Sequence, residues 1–187
     1  MSLNEIRKDI DAIDNELKEL FLRRMELSGK VADIKAEDGG SIYVPEREND
    51  IINRLTKGVG EEYVREYRAF IKRILTLSRE CQYEELMKRK DCFPFDEKLI
   101  AQKSHNRIKV RFVCQNKCGE LESVASVIAD YGINITDIHM RYEDDELVLF
   151  LELEANMLKS DIKALLYQLH SETNDFQIIE SYEVLEA

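Results

Sequence analysis

The chain has 187 residues, and its 27 Lys and Arg against 38 Asp and Glu give a net charge of −11. This length suits one or two domains, each with a core of its own. The acidic balance disfavours nucleic acid and anionic membranes as partners, because both are bound through a basic surface.

A long amphipathic helix is predicted from Leu3 to Lys35. Its apolar residues recur at alternating spacings of three and four, with one gap between residues 20 and 27. They are Leu3, Ile6, Ile10, Ile13, Leu17, Leu20, Leu27, Val31 and Ile34. We call this set the apolar stripe. Its spacing is heptad-like and favours packing against another helix.

The position that the stripe requires between Leu20 and Leu27 is occupied by Arg24. A guanidinium among packed apolar side chains is costly unless an anion meets it. Lys35 follows eleven residues later, which at about 100° per residue brings it to within about 20° of Arg24 around the helix. Two cations therefore share one face and predict a site for an anionic small molecule.

Arg7 borders the same stripe near the start of the helix. It precedes Arg24 by seventeen residues, which is about 25 Å along the axis at a rise of about 1.5 Å per residue. A small metabolite cannot span that distance. If Arg7 shares an anion with Arg24 and Lys35, it must come from a second, antiparallel copy of the helix. The alternative is that Arg7 extends into solvent from the edge of the stripe.

Two further helices are predicted before residue 90. A Gly-Gly turn after Lys35 ends the first helix, and Pro45 opens a second over about residues 45–57. A third runs from about Glu61 to Arg89, with apolar residues at helical spacing. Three helices without a strand pattern indicate an all-α domain at residues 1–90, followed by a linker at residues 91–104.

The second and third helices add polar residues to the two cations. Arg47 and Glu48 lie in the first turn of the second helix, and Ser78 and Gln82 lie four apart on the third, beside its apolar face. Each of these alone is compatible with a surface position. Together with Arg24 and Lys35 they predict one convergent polar site.

Residues 105–187 change period and predict a second domain. Strands are expected at Ile108–Cys114, Ile133–Tyr142, Leu147–Leu153 and Phe176–Val184, with helices around residues 121–129 and 162–169. The order βαββαβ is the ferredoxin-like arrangement. The fold class is therefore α plus α+β.

The first domain resembles the all-helical chorismate mutase found at the start of mutase–prephenate dehydratase proteins. The resemblance covers about Leu3 to Leu86 and is carried by IRKDIDAIDNELKELFLRRMELSGKVADIK, VPERENDIINRL and SRECQ. It implies an intertwined homodimer whose long first helices cross between subunits. It also implies conversion of chorismate to prephenate, in phenylalanine and tyrosine biosynthesis, without a cofactor or metal ion.

By this resemblance the substrate-binding residues are Arg7 of the partner chain, Arg24, Lys35, Val44, Arg47, Glu48, Ser78 and Gln82. The catalytic residues among them are Arg7, Arg24, Lys35, Glu48 and Gln82. Lys35 and Gln82 are expected to donate to the ether oxygen, where negative charge develops, and Glu48 to accept from the ring hydroxyl. A family position that can carry Asp is Val44 here, so only its backbone is available to the substrate.

The second domain resembles an ACT domain, a βαββαβ module that binds amino acids. The resemblance covers about Arg107 to Tyr182 and is carried by NKCGELESVASVIADYGINITDI. The implied effector contacts are Asn116, Gly119, Glu120, Leu121, Asn134 and Ile135. Where dehydratase-linked domains that bind phenylalanine read like GAL and ESR, this chain reads GEL and HMR, which leaves phenylalanine and tyrosine open. Pairing of such domains is expected to permit assemblies larger than a dimer.

The expected protein is a feedback-regulated chorismate mutase with a fused ACT domain. We expect no dehydratase between the two domains, since the linker is too short for one. One alternative is an isochorismate pyruvate-lyase, which shares the helical fold and the cations. Another is a non-catalytic amino-acid sensor on a helical dimerisation module. The four cysteines show no metal-ligand spacing, and neither a signal peptide nor a transmembrane run is visible, so we expect reduced thiols, no metal site and a cytoplasmic location.

Overall fold

The computed structural model describes residues 2–89, 93–95 and 104–184. Its N-terminal unit consists of the helices α1 (Leu3–Asp38), α2 (Pro45–Leu55) and α3 (Val64–Arg89). The three predicted helices are therefore present; one end of each coincides with the predicted end, and the other differs by two or three residues. α1 continues past Lys35 because the first residue able to end it is Gly39, whose φ of 73° lies in the left-handed region.

The start of α1 is fixed by a capping box. The backbone N–H of Glu5 is capped by the Ser2 hydroxyl, and the Glu5 carboxylate accepts from the Ser2 backbone N–H at 2.6 Å. Two N–H groups without helical partners are satisfied in this way. The helix thus has a defined beginning, although its first turns lie in solvent.

α1 divides into an exposed half and a packed half. Every residue from 2 to 23 is exposed, whereas Ser28, Ala32 and Ala36 are buried in the second half, which packs against α3. The buried apolar core of this unit is small and centres on Ile52, Ile71 and Leu75. In the single chain, the first half of the apolar stripe therefore faces solvent.

The C-terminal unit has the predicted order βαββαβ. Its elements are β1 (Arg107–Gln115), α4 (Glu120–Asp130), β2 (Ile135–Glu143), β3 (Glu146–Leu153), α5 (Ser160–Glu172) and β4 (Asn174–Tyr182). The strands form one antiparallel sheet in the order β2-β3-β1-β4. This is an α+β domain, and each strand begins within two residues of its predicted start.

The sheet is covered on one face. Alternate residues of β1 and β3, such as Phe112 and Leu149, are fully buried with Ile128 of α4 and Leu165 of α5. Along β2 the side chains are largely exposed. Phe95 packs on this core, but most of the predicted linker at residues 91–104 lies outside the described residues.

The two units share an interface formed by α3 on one side and by α4 and α5 on the other. Tyr83 of α3 is 1% exposed, and its ring contacts that of Tyr167 edge-on with centroids 5.8 Å apart. Arg73 forms a two-nitrogen ion pair with Asp130 and donates to the Ser126 hydroxyl at 2.8 Å. α3 is therefore at once a wall of the helical unit and the contact surface for the C-terminal unit.

Candidate active site

A cavity of about 210 Å³ lies between α1, α2 and α3. Its lining includes seven of the eight predicted substrate-binding residues, namely Arg24, Lys35, Val44, Arg47, Glu48, Ser78 and Gln82. Apolar side chains such as Leu27, Val31 and Leu75 complete the walls. The fold thus gathers residues from three helices, separated by up to 58 positions in sequence, around one space.

Arg24 is fixed to α3 by its guanidinium. Its Nη1 donates to the Ile74 carbonyl at 3.2 Å and to the Ser78 hydroxyl, which itself donates to the Ile74 carbonyl at 2.8 Å. The bonds found among the described residues use only Nη1, so the other guanidinium nitrogens can meet an anion. Burial lowers the pKa of Arg24, and Glu48 opposes that effect.

Lys35 lines the same cavity from the last turn of α1. Its ammonium donates to the Ile42 carbonyl at 3.0 Å, which ties the α1–α2 connection to α1. Burial lowers the pKa of Lys35, nearby Arg47 lowers it further, and Glu48 raises it. The cavity lining therefore carries four cations, Arg24, Lys35, Arg47 and Arg79, against the single carboxylate of Glu48, in a chain whose net charge is negative.

Gln82 presents its amide from the floor formed by α3. One Nε2 hydrogen is donated to the Ser78 carbonyl at 2.9 Å, which leaves the second for a ligand. Its Oε1 is buried and has no hydrogen-bond partner within the described part of the chain. An unpaired buried polar atom costs about 1–3 kcal/mol, and native structures tolerate that cost mainly at functional sites.

Glu48 and Arg47 stand in the first turn of α2. Val44 is the residue before the helix, and its carbonyl accepts from the Glu48 backbone N–H at 3.2 Å. Arg47 is exposed at the rim, whereas Glu48 is partly buried. The Glu48 carboxylate accepts two bonds from Arg79, a cavity-lining residue that the sequence did not single out.

Arg7 is the predicted residue that this cavity does not include. It is exposed on the solvated half of α1, seventeen residues before Arg24. At about 1.5 Å per residue the two lie about 25 Å apart along one continuous helix. Within a single chain Arg7 and Arg24 cannot contact the same small molecule.

The predicted effector residues form two separate groups. Asn116 to Leu121 follow the end of β1, and Asn134 and Ile135 stand at the start of β2. On β3, Gln115 pairs with Glu146 whereas Ile135 pairs with Leu153, seven residues further along. At about 3.3 Å per residue this is about 23 Å, so one chain does not bring the two groups together.

Within residues 2–89, 93–95 and 104–184, no three His, Cys, Asp or Glu side chains are grouped so that they could hold a metal ion. None of the helices among these residues is long and apolar enough to cross a membrane.

The sequence that forms this cavity is similar to that of a known protein family. Residues 6–83 match the family model for chorismate mutase type II. The chain is 45% identical over 64 residues to the chorismate mutase of Methanocaldococcus jannaschii, which covers 34% of this chain and 65% of that protein. It is 38% identical over 86 residues to the bifunctional chorismate mutase/prephenate dehydratase of Aquifex aeolicus, covering 41% of this chain and 24% of that protein.

A third relative is the T-protein of Haemophilus influenzae, 45% identical over 47 residues, with 25% of this chain and 12% of that protein covered. Across these relatives the chain spans between 12% and 65% of their lengths. The family match ends at residue 83 and does not extend into the C-terminal unit.

Proposed function

We propose that this protein is a chorismate mutase, which rearranges chorismate to prephenate in the cavity between α1, α2 and α3. The observation that carries the proposal is the convergence of Arg24, Lys35, Glu48 and Gln82 on that cavity. The match of residues 6–83 to the family model supports it. The similarity to two proteins named as chorismate mutases, over 86 and 64 residues, supports it as well.

The residue types suit the chemistry. Chorismate is a dianion whose ether C–O bond breaks as a C–C bond forms, within one molecule and without proton transfer. The site therefore has to hold the compact conformer and stabilise the charge that develops on the ether oxygen. The guanidinium of Arg24 and the ammonium of Lys35 supply cations, and Lys35 and the free N–H of Gln82 donate to that oxygen. Glu48 accepts from the ring hydroxyl.

The active assembly is a homodimer in which each α1 lies against the partner. Residues 3–23 make up about six turns of α1 whose apolar side is exposed in one chain, and an unpacked helix of that kind is marginal in water. A groove of about 660 Å³ runs beside it, lined mainly by apolar side chains such as Leu17, Phe21, Tyr67 and Phe70. A second, antiparallel copy would fill this groove and bring its own Arg7 to the cavity.

The C-terminal unit is an ACT domain that binds an aromatic amino acid, phenylalanine or tyrosine, and so regulates the mutase. The βαββαβ order supports this assignment, as does the turn at Gly119, whose φ of 88° opens α4. Because Gly119 and Ile135 lie at opposite ends of the sheet, an effector that contacts both requires sheets from two chains. ACT pairing would then join the subunits further.

The test is the loss of chorismate absorbance in the ultraviolet, with and without phenylalanine or tyrosine. We expect turnover, and a change in it with one of the two amino acids. Lys35→Ala should lower kcat/KM by about a hundredfold to a thousandfold, as expected for removal of a donor to developing charge. Lys30→Ala, which removes an exposed lysine on the same helix, should have little effect.

Other outcomes separate the alternatives. Turnover of isochorismate in place of chorismate would identify a pyruvate-lyase. Binding of an amino acid without turnover of either compound would identify a sensor. A near-normal rate in Lys35→Ala would refute the assignment of the cavity.

A further inference from the structure

Arg79 connects the two units at the edge of the candidate active site. It follows Ser78 on α3 and is only 9% exposed. Its Nη1 donates to both carboxylate oxygens of Glu48, at 2.6 and 2.7 Å, and its Nε donates to Glu172 Oε1 at 2.7 Å. One guanidinium thus joins α2 of the helical unit to the last residue of α5 in the C-terminal unit.

The geometry of this bridge leaves Glu48 available to a ligand. Arginine commonly meets a carboxylate through two parallel N–H bonds, one to each oxygen. Here Nε donates to Glu172, Nη2 donates to the Thr76 hydroxyl at 3.4 Å, and the single nitrogen Nη1 serves both oxygens of Glu48. Each Glu48 oxygen therefore keeps acceptor capacity, and the carboxylate borders the cavity between α1, α2 and α3.

Glu172 is itself held in place. A carboxylate in the last turn of a helix is disfavoured by the helix dipole, so it needs a compensating donor. Gln168 supplies one through Nε2 at 3.1 Å, and the Tyr131 hydroxyl donates to Gln168 Oε1 at 3.3 Å. The bridge from the cavity thus continues into both helices of the C-terminal unit.

The guanidinium is also held from its face and stays charged. The ring of Tyr43 lies against it, with Cζ 4.9 Å from the ring centroid. Burial alone would lower the pKa of Arg79, but Glu172 and Glu48 together raise it above its ordinary value. A buried cation between two carboxylates has little freedom to move.

We propose that Arg79 is a positioning residue that orients the Glu48 carboxylate toward the substrate, and that Glu172 of the C-terminal unit holds Arg79 in the orientation this requires. The inference rests on the proposed mutase function, in which Glu48 accepts from the ring hydroxyl. Without Glu172, the guanidinium would lose the contact that fixes its Nε, and the Glu48 carboxylate paired with it would lose its fixed orientation at the cavity. A shift of α5 against α3 would reach the active site by the same route.

The test compares Arg79→Ala and Glu172→Ala with Arg73→Ala. Arg73 is a matched control because it lies on the same helix and also pairs with the C-terminal unit, through Asp130, but does not contact Glu48. Loss of a well-aimed charged hydrogen bond corresponds to about tenfold or more in kcat/KM. We expect that loss in Arg79→Ala and Glu172→Ala, mainly through KM because the hydroxyl bond exists before the transition state. Arg73→Ala should stay within about twofold of wild type.

Two further variants separate positioning from general structural damage. In a Glu48→Gln background, Arg79→Ala should cause little additional loss, since its effect passes through the Glu48 carboxylate. Arg79→Lys, which keeps a charge but cannot bridge two carboxylates in one plane, should recover part of the activity. Fully additive losses in the double variant would overturn the proposal.

The two proposals fail in different ways. If wild type turns over chorismate and Arg79→Ala behaves like Arg73→Ala, the positioning role is wrong and the mutase function stands. If wild type does not turn over chorismate, the mutase function is wrong, and crystal structures of Glu172→Ala and Arg73→Ala decide the positioning role. It predicts a displaced Glu48 carboxylate in the first variant alone, and an unchanged one in both would overturn it.

Discussion

The exposed half of α1 makes the proposed dimer open to a quantitative test with Leu17→Ala. Leu17 lies in the apolar stripe, lines the groove of about 660 Å³ and is 45% exposed in the single chain. Full burial of a leucine side chain stabilises by about 2 kcal/mol, so roughly half of that remains to be gained in an interface. A symmetric dimer contains the residue twice. The expected loss is about 2 kcal/mol per dimer, or about thirtyfold in the dissociation constant.

The assay is urea unfolding at several protein concentrations, followed by sedimentation equilibrium under native conditions. Because unfolding of a dimer releases two chains, the midpoint of wild type should rise with protein concentration. Leu17→Ala should lower the midpoint at each concentration and shift sedimentation toward the monomer.

Leu22→Ala is the matched control for this experiment. Leu22 is on the same helix and is similarly exposed, at 51%, but five residues after Leu17 it lies about 140° around the axis. Both changes carry the same helix propensity, so only the interface distinguishes them. A monomeric wild type at micromolar concentration, or equal effects of the two variants, would refute the dimer formed through the stripe.

Two further predictions follow from the same geometry and from the interface between the units. Arg7→Ala and Arg24→Ala should each be inactive alone, but mixing them under conditions of proven exchange should restore roughly a quarter of wild-type activity, since half the dimers are hybrids with one intact site; no recovery would mean that Arg7 does not act across subunits. Burial raises the pKa of Glu80 to about 8, and a hydrogen bond to Asp130 beside Arg73 adds to the rise. The folded chain therefore favours the protonated form of Glu80. The stability that this form contributes is complete below the ordinary pKa of about 4.5 and is lost as pH rises through about 8. The difference in unfolding free energy between wild type and Glu80→Gln should therefore shrink by about 1 kcal/mol per pH unit within that window, and a constant difference in urea unfolding would contradict it.

Much of the fold could be predicted because the local signals agree with the global structure. Pro45 and Gly39 mark helix ends by backbone geometry alone, and in the first half of β1 the alternation matches its buried and half-buried faces. The helix ends that differ from the predicted ones depend on the surrounding structure as well as on the local sequence. Residues 60–63 form a turn before α3, and the polarity of Glu61 and Glu62 does not distinguish a turn from a first helical turn.

The part of the candidate site that could be predicted consists of residues whose spacing places them on one face of a helix. Arg24 and Lys35 could be recognised because charge on an apolar stripe is costly and needs a reason. Arg79 carried no such signal, since a charged residue beside Ser78 reads as part of a solvated face. It is buried against Glu48, Tyr43 and Glu172, and Glu172 lies 93 residues later in the chain, so the pairing is set by tertiary structure alone.

The contacts of α3 provide a route from the C-terminal unit to the candidate active site, which the proposed regulation requires. One side of the helix supplies Ser78 and Gln82 to the cavity, and the next residue, Arg79, faces the C-terminal unit. Neighbouring residues on a helix point about 100° apart, so a single turn can serve both surfaces without a loop or hinge between them. If an effector moves α5, the first of the proposed catalytic residues that the movement reaches through the described contacts is Glu48. The resulting change would appear as altered substrate affinity before altered chemistry at Lys35 and Gln82.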